Sequence, residues 1–382
     1  MRMPTLFAAA TLLAAATTAL AQQPAYTLEL LPSQPDFVAS QANGLNDLGQ
    51  AVGTAQDTSG ATFGVLWNAD GSIVRLENLS TVTNIGAAID INNAGTIIGD
   101  VRNDGDINQA ARWDTNGALS LLGQFGMGTY SSARGINEAG VIVGTGTVNG
   151  PTRQHAFTWT QDDGFTDYGS FFSSSDTVVG GFEGINNNNT FVGTSYFLGS
   201  PFKAISASET EPDFVELSPP GQFSAGIANA VNDNGLIVGS QNPGSGGMLP
   251  AIFNGNGTAT LLGDLGLANS DGSAEAVNNA GTIVGGISGF DDSNPFDPVL
   301  LNAAFIYQDG TLYNLTDVVG DDLGFERFIQ IGDINENGVA VGHGILNGVP
   351  QAFILRPVPE PATLGSAAAA GLLLLRRRRV AG

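Results

Sequence analysis

The chain has no cysteine. That excludes disulfides, thiol chemistry and every zinc site built on thiolates. Lysine occurs once, as Lys203, and histidine twice, as His155 and His343. Thirteen Lys and Arg face 36 Asp and Glu, giving a formal net charge of −23. A nucleic-acid track needs clustered cations, so nucleic acid is excluded as a partner and anionic lipid is disfavoured. Divalent cations, cationic groups and neutral sugars are the partners the charge leaves. Only 13% of residues are charged, and no stretch reads as a long amphipathic helix.

Glycine is plentiful, at 53 residues, and it is placed periodically. A motif of the form apolar-Asn-x-x-Gly-x-x-Val/Ile-Gly recurs seven times, most clearly in Ile89 to Asp100. Its asparagines are Asn46, Asn92, Asn137, Asn186, Asn232, Asn278 and Asn335, at gaps of 46, 45, 49, 46, 46 and 57 residues. A fixed period of this size signals a repeat architecture. Asn followed three residues later by Gly suits a tight turn, so the motif predicts strand, turn, strand. The fourth copy carries Asn189 in place of that Gly. A second Gly closes every copy: Gly53, Gly99, Gly144, Gly193, Gly239, Gly285 and Gly342. Gly inside a strand marks a close backbone approach, here read as crowding near a central axis.

About a dozen residues on comes an Ala-aromatic or Ala-aliphatic strand, as at Ala111 to Trp113 or Ala352 to Leu355. An Asp-Gly or Asn-Gly pair follows, as at Asp70-Gly71 and Asn116-Gly117, and then a short fourth strand. Such pairs between apolar runs are hairpin signals. Each repeat therefore holds about four strands, the unit of a propeller blade. The last repeat has only three, ending near Arg356, while Tyr26 to Leu31 reads as a lone strand before the first motif. The expected fold is an all-β, seven-bladed β-propeller of four-stranded antiparallel blades, closed by the N-terminal strand. Closure removes the open edges of a linear array; a linear β-solenoid is the alternative.

The termini predict processing. Arg2, the apolar Leu6 to Ala16 and the small-residue site Ala19-Leu20-Ala21 read as a secretory signal peptide spanning 1–21. The repeat domain spans 22–356. In 357–382, Pro359-Glu360-Pro361 precede the apolar run Ala362 to Leu375 and then Arg376, Arg377, Arg378 and Arg379. An apolar run before a basic cluster is a stop-transfer layout. The run is short against the roughly 20 residues of a spanning helix, which suits transient anchoring. Removing both ends takes five basic residues and no acids, leaving 8 against 36, a formal −28.

This three-part C-terminus resembles the PEP-CTERM sorting signal of Gram-negative bacteria. The resemblance implies an exosortase-type processing enzyme as partner and an exopolysaccharide or biofilm setting. It also implies membrane contact only through the C-terminal segment. The repeats resemble the HAF extracellular repeats, whose triplet stands once, as His155-Ala156-Phe157; other copies keep Ala-Phe or Ala-x-aromatic. That family implies location and architecture and brings no activity. The expected localisation is secreted or cell surface.

No residue is assigned a catalytic role. The two histidines occupy different repeat positions, and no G-x-S-x-G elbow accompanies either. Gly244 to Gly247 lacks the Lys-Ser/Thr of a phosphate loop. Most Asp precede Gly in turns, although paired carboxylates keep a glycoside hydrolase or lyase as the alternative function. Calcium is the one cofactor left open: Asp104, Asp106 and Asn108 are spaced like the start of an EF-hand loop, without its Gly and closing Glu. The sequons at Asn78, Asn188, Asn256 and Asn314 read as turn chemistry.

Loop length points to one further site. Gly285 to Ala304 is seven residues longer than the matching segments, 19 against 12, and Thr316 to Phe328 is a second insertion. In up-and-down blades these two connections emerge on one face, from neighbouring blades. Phe290, Asp291, Asp292, Phe296, Asp297, Asp321, Asp322, Phe325 and Arg327 are the candidate ligand-binding residues. Exposed aromatics beside carboxylates suit sugar stacking, hydrogen bonding or calcium bridging. The function expected is non-catalytic binding of a polysaccharide or another extracellular partner, with a purely structural spacer as a further alternative.

Overall fold

The computed structural model describes residues 23–79, 86–105, 107–148, 154–169, 178–197, 201–210, 214–219, 225–291 and 299–359. These residues form seven four-stranded antiparallel sheets. Blades one to six span residues 37–75, 86–121, 131–167, 178–216, 226–261 and 268–314 in simple up-and-down order. Blade seven takes three strands from 327–357 and its outermost strand, Tyr26–Leu30, from the start of the chain. That strand pairs antiparallel with Val349–Pro357, Thr27 opposite Arg356 and Leu28 opposite Leu355. The ring closes as the repeat count predicts.

Strand alternation builds the core. Successive side chains point to opposite faces of a sheet, so each blade offers one residue set to each neighbour. Ile97 packs in the cluster between blades one and two, and the next residue, Ile98, in the cluster between blades two and three. Val65 and Leu66 of blade one divide in the same way, Val65 toward blade seven and Leu66 toward blade two. Seven such clusters fill the seven blade interfaces. Trp67, Trp113 and Trp159 end third strands, and each indole N–H reaches a carbonyl just past the outermost strand of the preceding blade: Pro32, Glu77 and Leu122. Pro32 follows the N-terminal strand. That strand therefore fills the same packing role as any internal fourth strand.

The motif turns behave as their chemistry dictates. Gly49, Gly95, Gly140, Gly235, Gly281 and Gly338 all have φ between 72° and 81°. Asn189 takes the same left-handed place at φ 57°. It is more than a tolerated stand-in, because its Oδ1 accepts from Asn137 Nδ2 at 2.7 Å.

The second Gly corrects the sequence reading. The crowding lies inside each blade. Every innermost strand carries a bulge opposite that Gly, for example between Ala88 and Asp90 across from Gly99. A Cβ on Gly99 would stand 2.0 Å from the Ala87 carbonyl oxygen, and one on Gly144 would also meet the Phe157 ring at 2.8 Å.

Both insertions also differ from the loops expected of them. Most of the first lengthens a hairpin: Gly286 to Asp291 pair with Val299 to Ala304. The second holds a single helical turn, Leu315–Val318, capped by the Asn314 side chain. Leu315, Val318, Phe325 and Phe328 pack with Tyr26 between blades six and seven. This segment is part of the core.

Candidate functional site at the propeller hub

The seven motif asparagines form one closed ring. Each side-chain Oδ1 accepts the backbone N–H four residues on, as Asn92 does from Thr96 at 3.0 Å. Each Nδ2 donates to the carbonyl of the next motif Asn. The series runs Asn46 to Asn92, Asn137, Asn186, Asn232, Asn278 and Asn335, and Asn335 returns to Asn46 at 3.0 Å. All seven are buried, between 3% and 6% exposed. A buried amide must satisfy both ends, and this ring does so around the whole hub.

A second ring lies beside it, at the next residue of each motif. In blade order these are Asp47, Asn93, Glu138, Asn187, Asp233, Asn279 and Glu336, an alternation of acid and amide. The backbone N–H of each reaches the side-chain oxygen of the next, from Asp47 to Asn93 through to Glu336 back to Asp47. Asn187 and Asn279 both donate to Asp233, and hydrogen bonds of this kind hold its carboxyl below the usual range against the opposing effect of burial. Burial pushes Glu336 the other way, reinforced by the Asp47 and Asp233 charges.

On the other side of these rings the bulges line a central cavity of about 380 Å³. The bulged residues are Asn43, Ile89, Arg134, Glu183, Asn229, Glu275 and Gly332. Bulges re-aim side chains, and here they aim them at the axis. Asn43 and Asn229 staple neighbouring innermost strands, donating to the carbonyls of Ala88 and Ala274. Asp90 and Asp333 follow their bulges and do the same with carboxylates. Asp90 accepts from Ile91 and Ile136, and Asp333 from Ile334 and Leu45. Burial raises the Asp333 carboxyl to about 7, with the Asp90 charge adding to the shift, and raises Asp90 as well.

Three bulge groups are less completely used. Burial raises the Glu183 and Glu275 carboxyls. Arg134 Nε lies 3.8 Å from Glu183 Oε2, too far for a hydrogen bond, and is a buried donor without a partner. A second cavity of about 460 Å³ opens off the first, with Asn229, Glu275 and Gln330 lining both. It runs outward between blades five, six and seven past Ser240, Ser273, Ser288 and Asn302. Phe290 lies two residues beyond Ser288 on the same strand, hence on the same face, and is 36% exposed. The result is a polar trough with an aromatic ring at its outer rim. It opens on the side away from the asparagine ring.

The structure therefore divides the nine expected ligand-binding residues. Phe290 reaches the trough. Asp292, Phe296 and Asp297 lie outside the described residues, and only the backbone of Asp291 is described. Asp321 and Asp322 cap turns, accepting from Leu323 and Gly324. Phe325 is a correction: it is 7% exposed, stacked on Phe328 and Phe353, and offers no ring to a ligand. Arg327 is exposed on the innermost strand of blade seven. Of the calcium residues, Asp106 lies outside the described residues, Asp104 sits in a turn, and Asn108 spends its oxygen on Arg102 at 2.8 Å. Among the described residues no group of three acidic or imidazole side chains could hold a metal ion. Pro359 ends the described chain, so Glu360, Pro361 and Arg376 to Arg379 lie beyond it, as do Ala19 and Ala21. Among the described residues no helix is long and apolar enough to cross a membrane.

Neither histidine stands in a cavity described above. His155 Nδ1 meets Asp167 Oδ1 at 2.9 Å, and its ring lies where a Cβ on Gly169 would fall, 1.9 Å from Cγ. Burial holds the His343 imidazole below its usual value.

Ring, trough and sheet order define a closed seven-bladed β-propeller. Solved structures share the fold. One of a pair of prolyl endopeptidases aligns over 88% of this chain with a TM-score of 0.56 at 9% identity. An acylaminoacyl peptidase from Pyrococcus horikoshii aligns over 90% at 0.52 and 10%. TolB from Acinetobacter baumannii aligns over 72% at 0.46 and 13%. The aligned parts are 51%, 56% and 63% of those chains, so this chain matches roughly half to two thirds of each. No family model matches the chain. No curated protein matches it.

Proposed function

We propose that this propeller is an exported, surface- or matrix-associated protein that binds a polysaccharide or another extracellular partner without catalysing its turnover. The trough at the hub carries this reading. Its lining of serine hydroxyls, asparagine amides and one carboxylate, with Phe290 at the rim, offers the hydrogen bonds and the stacking face that sugar rings use. The terminal sequences support export and transient anchoring, and the Pro-Glu-Pro segment with its arginine cluster supports an exosortase-type processing partner. Net acidity directs the choice toward neutral or cationic partners.

A glycan array probed with the full chain, with and without calcium, tests the reading. Binding to a defined set of glycans supports it, and loss on chelation would bring calcium in as a bridging ion. Absence of any bound glycan in both conditions would leave only the spacer role. Release of reducing ends from a bound polysaccharide would replace binding with hydrolysis or lysis.

A further inference from the structure

We propose that the channel end of the trough is a subsite for a free amino group on the bound sugar, so that the ligand is an amino sugar with an unacetylated nitrogen. This deepens the glycan-binding reading and rests on it. Two features of the hub carry it. Glu183 and Glu275 project from bulges of adjacent innermost strands, two blades apart, into one cavity of about 380 Å³. Asp90 and Asp333 line the same cavity but are already committed to backbone N–H groups on both sides of a blade interface. Independently, Arg134 Nε is buried at the cavity wall with no hydrogen-bond partner. A buried polar group left unpaired is costly and calls for an acceptor.

The two features together select the ligand class. A simple metal ion does not fit, since no three ligating side chains converge among the described residues. A purely anionic ligand would meet two carboxylates. A neutral sugar would leave those carboxylates without a cation. A hexosamine supplies an ammonium for Glu275 and Glu183 and a hydroxyl oxygen for Arg134, while the adjoining residues of an oligomer lie along Ser273, Ser288 and Asn302 toward Phe290. Charge-assisted hydrogen bonds from the ammonium then fix the orientation of the ligand.

Calorimetric titration of the full chain with a glucosamine dimer and with its N-acetylated counterpart, near neutral pH and at moderate salt, tests the inference. The free amine should bind at least about tenfold more tightly, about 1.4 kcal/mol of discrimination. Glu275→Gln should weaken the amine by a similar factor while leaving the N-acetylated dimer unchanged. Asp162→Asn, at an exposed turn, controls for general attraction to an acidic surface and should change neither. Equal affinity for the two dimers, or equal weakening by Asp162→Asn and Glu275→Gln, would overturn the proposal. Should Glu275→Gln fail to fold, the comparison of the two dimers on the unaltered chain still decides. Glycan-array binding confined to neutral sugars overturns this inference alone, whereas no glycan binding at all overturns the broader reading as well.

Discussion

Replacing Asn92 by alanine breaks the hub ring at one link, and its cost can be worked from the contacts. Asn92 is 4% exposed. Its Oδ1 is the acceptor for the Thr96 N–H, and its Nδ2 donates to the Asn137 carbonyl at 3.1 Å. In Asn92→Ala the Thr96 N–H loses that acceptor, which costs about 1–3 kcal/mol. The Asn137 carbonyl keeps its bond from Gly140, so its loss is an ordinary net hydrogen bond, about 0.5–1.5 kcal/mol. The sum is roughly 2–4 kcal/mol. For a domain of this size each kcal/mol shifts Tm by about 2 °C, so calorimetry should show a fall of about 4–8 °C. Asn93→Ala, one residue on, removes bonds of the outer, partly solvated ring and should cost less than half as much. A change below about 0.5 kcal/mol for Asn92→Ala, or equal costs at the two positions, would refute the argument that the buried ring holds the blades together.

Further outcomes follow from other parts of the structure. Gly95→Val forces a branched side chain into φ 80° and sets a Cβ 2.5 Å from Thr115 Cγ2, so it should cost at least the roughly 1–2 kcal/mol of a left-handed residue; urea titration showing no loss would contradict the turn assignment. Asp100 bridges blades two and three by accepting from Ser132 and Ala133, and burial raises it to about 6. A folded value above the unfolded one means the native state holds the proton longer, so this share of stability is full near pH 4 and is lost as pH rises through about 6. Asp100→Asn can keep both bonds, accepting from Ala133 and donating to Ser132. It should be near neutral at about pH 4 and stabilise by at most about 3 kcal/mol at about pH 8; a melting curve showing the reverse order would count against the burial argument. Phe325→Ala, which empties a stacked core position, should cost about 3–5 kcal/mol and leave any glycan affinity of the folded fraction unchanged; selective loss of binding would return Phe325 to the ligand site.

Much of this fold can be read from the chain because the asparagine signal is local. Asn with Gly three residues on specifies a turn by backbone chemistry, and seven copies specify seven blades. Closure by Tyr26–Leu30 followed from counting three strands in the last repeat. The alternation of acid and amide after each motif Asn was equally visible as Asp47, Asn93, Glu138, Asn187, Asp233, Asn279 and Glu336. Its meaning appears only when the ring brings residues about 46 apart into contact. The trough was not legible. Its residues sit at bulges, and the bulge positions carry Asn43, Ile89, Arg134, Glu183, Asn229, Glu275 and Gly332, which share no type. Nothing local marks where a strand will bulge. The two insertions were visible by length, but composition did not say that Gly286 to Asp291 would stay paired or that Phe325 would turn inward.

The most direct test of closure uses the absence of native cysteine. Thr27 and Arg356 face each other on exposed ends of the last blade, 329 residues apart in sequence. In the double variant Thr27→Cys and Arg356→Cys, mild oxidation of the folded chain should form one intramolecular disulfide, seen by mass spectrometry of the peptides and abolished when oxidation is carried out in denaturant. Antiparallel partners about 4.5–5.5 Å apart lie within reach of such a bond. An open, elongated stack would hold the two positions at opposite ends of the molecule, and failure to cross-link within the monomer would contradict the ring.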